Sequence, residues 1–409
     1  MSEQSVAEFR DRARSWLEAN VPRKTGAGSA DGEPGVFDIA AQRAFQASLY
    51  DAGFAGITWP REYGGQGLTN AEQIAFGEEA RNFTLPVGAF TIGLGMPGPT
   101  ILELGTEEQK KRYLPKLLSG EEIWCQLFSE PSSGSDVASL TTTAVRDGDE
   151  WVLNGQKVWT SGAHYSDFGA IIARTDPTVP KHNGITMFIL DMRSPGVTVR
   201  PLRVATGAAP FNEVFLDQVR LPADSVIGEV DKGWSAAVVM LRNERVTIGT
   251  STAPRTSPLA YDSLSGLAAR LGRGADKGVG RDLAELYARG RAVRLFGQLL
   301  REEAMAGRDP GPRGSVAKLA GAELGQFAAD VASRVLGAEA AGFDSGDEQV
   351  AAVIAHIVGA PGGSIAGGTN EIQRNIIGER VLGLPKDPGV DRNTPFSQLR
   401  VGTQHREKN

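Results

Sequence analysis

Among its 409 residues the chain has a single cysteine and four histidines. One cysteine, Cys125, excludes an internal disulfide framework; following Trp124 in an apolar stretch, it reads as a core thiol. The histidines, at 164, 182, 356 and 405, lack the spacing of metal ligands, so no metal site is expected. No apolar run approaches the ~18 residues that signal a membrane span. The first stretch, "MSEQSVAEFRDRARSWLEAN", is charged and amphipathic rather than a signal peptide, so a cytoplasmic protein is the expectation. A net charge of -6 with no basic block argues against nucleic acid. There is no P-loop, and no dinucleotide fingerprint after a strand.

What is present is an ordinary globular composition, 41% hydrophobic and 22% charged, with 51 glycines. The length calls for more than one core. Residues 1–120 read as helical, with Phe9, Leu17, Phe45, Leu49 and Phe54 at helical spacings between Gly and Pro breakers. "TEEQKKRYLPKLLSGE" opens on acids and closes at Gly120, as a helix should. Residues 121–230 are β-rich and read as an antiparallel domain, with Asn154-Gly155 as a hairpin turn between alternating runs. Residues 231–409 return to helical periodicity and end in a polar tail. "RKTGAGSADGEPG" (23–35) and that tail read as disordered, and "RGADKGVG" as a flexible loop. The expected fold class is therefore multidomain α+β: helical, then β, then helical.

Three stretches could carry chemistry. "LFSEPSSGSD" gathers Ser129, Ser132, Ser133 and Ser135 around Pro131 and Gly134; it is either an ordinary turn or a cradle for a polar ring edge or phosphate. "VWTSG" sets Trp159 two residues from Ser161, on one face of a strand, where an aromatic wall and a hydroxyl could meet a planar cofactor or simply pack. "IAGGTNEIQRNIIGERVLGLP" puts Gly367 and Gly368 before Thr369, a candidate N-cap, with Glu371 in the first turn; a plain helix start reads the same way.

"AVVMLRNERVTIG" poses a sharper question. On a helix, Ala237, Met240, Leu241 and Ile248 share a face with Glu244. A carboxylate in an apolar stripe is costly unless paired or neutralised. Glu244 is either a structural partner of Arg242 or Arg245, or a base kept in a dry site.

Taken together, from about residue 40 to 385, the chain resembles the acyl-CoA dehydrogenase family. The resemblance rests on "WPREYGGQG", "SEPSSGSDVASLTTTAVRDGDEWVLNGQKVWTSGAHYSDFGAIIART", "FNEVFLDQVRLPADSVIGEVDKGW" and "GGTNEIQRNIIGERVLGLP", in that order. It implies an N-terminal helical domain, a middle β-domain and a C-terminal four-helix-bundle domain, with FAD between the last two. It implies that Gln126, Phe128 and Ser129 line the flavin ring, and that Ser135 lies near the thioester path and the flavin phosphates. Trp159 would pack on the ring, Ser161 would stand where the family usually has a flavin-bonding Thr, and Thr369 and Glu371 would approach the adenosine diphosphate portion. The implied reaction removes an α-proton from an acyl-CoA while flavin N5 takes the β-hydride, giving a trans-2-enoyl-CoA. Electrons then pass to an electron-transferring flavoprotein. Many members hold the base just before the "GT" motif, where this chain has Gly367; a minority hold it in a Glu-Arg pair on the first C-terminal helix, where this chain has Glu244-Arg245. Arg245 would anchor CoA or the helix, and the Gly367 N–H would meet the thioester oxygen.

The pattern also fails in places. The family's cross-subunit flavin grip, an Arg-x-x-Phe-Gly stretch and a Gln before Leu-Gly-Gly-Asn-Gly, is missing: here stand "ARLGRGADKGVGRDLAELYARGR" and "SRVLGAEAAGF", with Arg334 in place of the Gln. Some bacterial relatives form α2β2 heterotetramers, so the expectation is a catalytic subunit that needs a sibling, with a homotetramer as the alternative. A same-fold flavin monooxygenase or oxidase, and a non-catalytic partner subunit, are competing functions. The acyl group is unread, although Gly93, Gly95 and Gly98 could leave room for bulk.

Overall fold

The computed structural model describes residues 3–24, 38–250, 257–305, 308, 311–341, 346–386 and 393–399; the side chains of 3–4, 245–250 and 304–305 lie outside the described set. Most of the 23–35 stretch and the end of the tail also lie outside it.

The N-terminal helices are α1 (Glu3–Asn20), α2 (Ile39–Asp51), α3 (Asn70–Ala80), α4 (Thr91–Gly95), α5 (Pro97–Leu104) and α6 (Glu107–Ser119). Phe9, Ala13 and Leu17 recur on one face of α1 and bury against Leu49, Phe54, Phe76 and Leu118. α6 starts on a capping box: Gln109 N–H donates to Thr106 Oγ1 at 3.2 Å, and Thr106 N–H to Gln109 Oε1 at 3.1 Å. It ends at Gly120, whose φ of 81° suits a residue without Cβ. Gln109 Nε2 also donates to the carbonyls of Asp224 and Val226, so the cap ties α6 to the sheet domain.

The sheet has eight strands: β1 (Trp124–Leu127), β2 (Thr143–Asp147), β3 (Glu150–Ser161), β4 (Phe168–Arg174), β5 (Ile185–Asp191), β6 (Val197–Leu202), β7 (Phe211–Pro222) and β8 (Val226–Ile227). Their order is β6-β7-β3-β2-β4-β5-β8, with β1 beside β4. Most pairs are antiparallel, but β1 runs parallel to β4, which corrects a purely antiparallel reading. β4 and β5 are continuous apolar runs because both of their faces are buried. Ile171, Ala173, Phe188 and Leu190 face Leu153, Val214 and Leu216 in one core. Ile172, Met187 and Ile189 face α5, α6 and the first C-terminal helix in another. Each fully buried Ile, Leu, Val, Phe or Met among them contributes about 1.5–3 kcal/mol.

Asn154-Gly155 is not a turn. β3 runs straight through it against β7, with a register shift there, and the β2–β3 turn falls at Gly148, φ 60°. The chain is held straight because Gly155 lies against Thr142: a Cβ at 155 would stand 2.7 Å from the Thr142 Cα. Gly93 and Gly98 leave no room for substrate either. A Cβ at 93 would stand 2.8 Å from Leu117, and one at 98 2.5 Å from Trp59, so both serve close packing.

The C-terminal domain comprises α7 (Gly233–Thr250), α8 (Tyr261–Arg270), α9 (Lys277–Met305), α10 (Gly314–Leu336), α11 (Glu348–Gly359) and α12 (Asn370–Ile376). Its four-helix core lies among α8, α9, α10 and α11. α7 instead packs its Ala236, Ala237 and Met240 on the sheet and α5. "RGADKGVG" is part loop and part α9: Asp276 accepts from Gly278 N–H at 2.8 Å and starts the helix.

Candidate active site

The 128–142 loop and β3 are one unit. Val158 N–H donates to the Ser129 carbonyl at 2.9 Å. The Lys157 ammonium, fully buried, donates to the Phe128 carbonyl at 3.1 Å and to Glu130 Oε1 at 2.8 Å. Glu130 also accepts from Thr141 N–H at 2.6 Å, Thr141 Oγ1 at 2.8 Å and Thr142 N–H at 3.0 Å. Burial pushes the Glu130 carboxyl up, but the Lys157 charge and these hydrogen bonds outweigh it and hold the pKa down to about 2. Burial pulls the Lys157 ammonium the other way, toward its neutral form, against the opposing pull of Glu130. Sequence reading missed this pair, because nothing local says that Lys157 points inward.

The sign for stability follows. A carboxyl depressed on folding stabilises fully above its unfolded value, 4.5, and loses that contribution as pH falls toward about 2. Unfolding free energies measured between about pH 6 and pH 3 should fall as the pH drops below 4.5 in the wild type, by roughly 2 kcal/mol from this group. In Glu130→Gln that fall should be shallower.

β3 ends in a distortion that also escaped the sequence. Its register against β7 shifts between Lys157 and Thr160, and Trp159 sits at φ 60°, a strained value for a large residue. The bulge leaves Trp159 56% exposed, edge-on to Phe211 at 5.7 Å, with Ser161 half-buried beside it. A large aromatic held open at a cost in backbone energy fits a planar ring placed against it. Phe128 is buried, Gln126 and Ser129 half-buried, and Ser135 exposed. Cys125 is fully buried and burial pushes its thiol up to about 12, so it is no nucleophile.

The glycine pair lies on the other domain. Gly367 and Gly368 take φ of 66° and 88°, and Thr369 caps α12 by accepting from Ile372 N–H at 3.3 Å. Gln373, buried, donates from Nε2 to the carbonyls of Gly367 at 2.9 Å and Gly368 at 3.2 Å; a Cβ at 368 would meet that nitrogen at 2.7 Å. Gln373 Oε1, Asn370 Oδ1 and Lys318 Nζ are buried with no hydrogen-bond partner among the described residues. Unsatisfied polar atoms gathered at α10 and the start of α12 fit a polar ligand. Exposed Glu371 is held below the usual carboxylate range by its own backbone amide and the Thr369 hydroxyl. These residues fit the adenosine diphosphate end of FAD, as the open Trp159 fits its ring.

Glu244 is half-buried, one turn beyond Met240 on α7. Met240 and Ala237 belong to the same core as Phe128 and Ala138 of the loop. Arg242 turns away, donating to Glu103 of α5 at 2.6 Å. The Arg245 side chain lies outside the described residues. Among the described residues there is no group of His, Cys, Asp and Glu able to hold a metal, and no helix long and apolar enough to cross a membrane.

Comparison with known proteins agrees along the whole length. The sequence models of the acyl-CoA dehydrogenase N-terminal, middle and C-terminal domains match residues 3–121, 125–219 and 231–382. Acyl-CoA dehydrogenase IpdE1 of Mycobacterium tuberculosis is 38% identical over 388 residues, covering 94% of this chain and 99% of the relative. The solved "Tcur3481-Tcur3483 steroid ACAD" superposes with a TM-score of 0.77 at 29% identity, covering 95% of this chain and 99% of the other. The ChsE4-ChsE5 complex from M. tuberculosis gives 0.73 at 29% identity, covering 94% and 99%.

Proposed function

Because the chain belongs to the acyl-CoA dehydrogenase family, an FAD-dependent family of α,β-dehydrogenases, we propose that Glu244 on α7 is its α-proton base. The observation that carries this is the position of Glu244 on the face of α7 whose preceding turns are fully buried, while Gly367, at the alternative position, has no side chain to titrate.

The thioester α-proton is weakly acidic in water. The Gly367 N–H, donating to the carbonyl oxygen, stabilises the enolate-like charge as the proton leaves. Glu244 accepts the proton, and apolar neighbours such as Met240 keep water from competing for it. Gln126, Phe128, Ser129, Trp159 and Ser161 hold the ring end of the cofactor, Thr369 and Glu371 its adenosine diphosphate end, and Ser135 and Arg245 the CoA portion. When bound, FAD supplies the acceptor for the hydride leaving the β-carbon, with an electron-transferring flavoprotein as the onward acceptor. A bulky lipid acyl group, including a steroid side chain, is the proposed substrate class, and the cytoplasm the proposed location.

A sibling subunit completes the site. Arg334, in place of the family's Gln, is bonded within the chain to Asp282 of α9 and is engaged there. Tyr287, Leu295 and Leu299 leave an exposed apolar row on α9, 47–50% accessible, that suits a second subunit. Expressed alone, the chain should purify with well under half of one FAD per subunit. Co-expressed with the product of the adjacent gene, it should form a stable complex with one FAD per pair and reduce an artificial acceptor with acyl-CoA. Full occupancy and activity of the chain alone would sink the sibling.

A further inference from the structure

Residues 393–399 leave the C-terminal domain and return to the sheet. Pro395 bridges Pro180 in antiparallel fashion, Phe396 N–H donates to the Val179 carbonyl at 2.9 Å, and Ser397 N–H to the Pro177 carbonyl at 2.9 Å. Gln398 and Leu399 N–H close the turn on Pro395 and Phe396. This docking buries Phe396 to 2% exposure in a tail that reads as polar from sequence.

The ring of Phe396 covers Arg174, its centroid 3.9 Å from the guanidinium carbon. Arg174 ends β4 and is itself 3% exposed. It donates to the carbonyls of Lys181 and Ala138, each at 2.6 Å, and to that of Leu140 at 3.5 Å. The Lys181 ammonium donates to Asp136 at 2.7 Å. One buried cation therefore joins the tail, the 177–182 loop and the far end of the loop that starts at Phe128 and Ser129. A guanidinium cut off from water needs every partner it has; here these include carbonyls and the π-face of Phe396. Take away the ring and water reaches the cation, competing for the Ala138 and Leu140 carbonyls that it holds.

We propose that Phe396, acting through Arg174, is a positioning residue for the 128–140 loop, so that the C-terminal strap helps hold FAD and acyl-CoA while touching neither. This rests on the assignment of that loop to the flavin made above.

The test compares wild-type complex, Phe396→Ala and Phe396→Leu, the last keeping apolar cover but no ring. Backbone hydrogen exchange is read with and without FAD, together with FAD dissociation and the KM and kcat for an acyl-CoA. In Phe396→Ala, amides of 128–142 should exchange faster while those of β5 stay protected. FAD should bind roughly tenfold more weakly, and KM should rise more than kcat falls. Phe396→Leu should lie between. A purely structural role would raise exchange evenly across β4, β5 and the loop. That result, or loop exchange equal to wild type, overturns the proposal. Faster loop exchange with FAD affinity unchanged also overturns it, and locates the failure in the flavin assignment rather than in the strap.

Discussion

Lys157→Met should cost about 3–5 kcal/mol of folding stability, far more than a typical substitution. The ammonium is fully buried, and it is the counter-charge to a Glu130 side chain that is 2% exposed. Removing it strands a carboxylate in a low dielectric, where the N–H groups of Thr141 and Thr142 remain but the opposite charge is gone. The Phe128 carbonyl also loses its donor. Because the deficit is the stranded charge, the double variant Lys157→Met with Glu130→Gln should recover more than half of it. Chemical unfolding of wild type, both singles and the double measures the coupling directly. Additive losses, or a single-variant loss under about 0.5 kcal/mol, would show that the pair is not the anchor of the loop.

Glu244→Gln should lower turnover of an acyl-CoA by about 10²–10⁴-fold, the range for a positioned general base. Gln keeps the shape and one acceptor oxygen, so FAD content, complex assembly and melting temperature should stay close to wild type. Unchanged turnover would return Glu244 to the role of a structural acid.

How much of this could be read from the chain alone divides along a physical line. Local signals held. Thr369 caps α12 because a hydroxyl before an N-terminus meets free N–H groups within its own turn, and the acids after Thr106 open α6. Cys125 is buried as its apolar stretch implies, and Ala237 and Met240 of the α7 stripe are buried because periodicity marks a face, with Leu241 half-buried and Ile248 outside the described side chains. The order of helical, β and helical segments follows from the same periodicities.

Long-range partners overrode local signals elsewhere. Asn154-Gly155 carries the strongest short hairpin signature, yet pairing with β7 and contact with Thr142 hold it extended, while the plainer Asp147-Gly148 turns. The parallel β1–β4 pair, the inward Lys157 and the strained Trp159 depend on strands far apart in sequence. Gly93 and Gly98 looked like space and are filled by Leu117, Trp124 and Trp59, which no local pattern announces. Phe396 looked like part of a polar tail because Arg174, which explains its burial, belongs to the sheet.

The central claim is that the proton leaves to α7. The direct measurement is isotope exchange at the substrate α-carbon, in deuterated buffer and without an electron acceptor, by the FAD-loaded wild-type complex and by its Glu244→Gln variant. The account predicts steady α-exchange in wild type and exchange at the uncatalysed rate in Glu244→Gln, with flavin still bound. Equal exchange in both would contradict it.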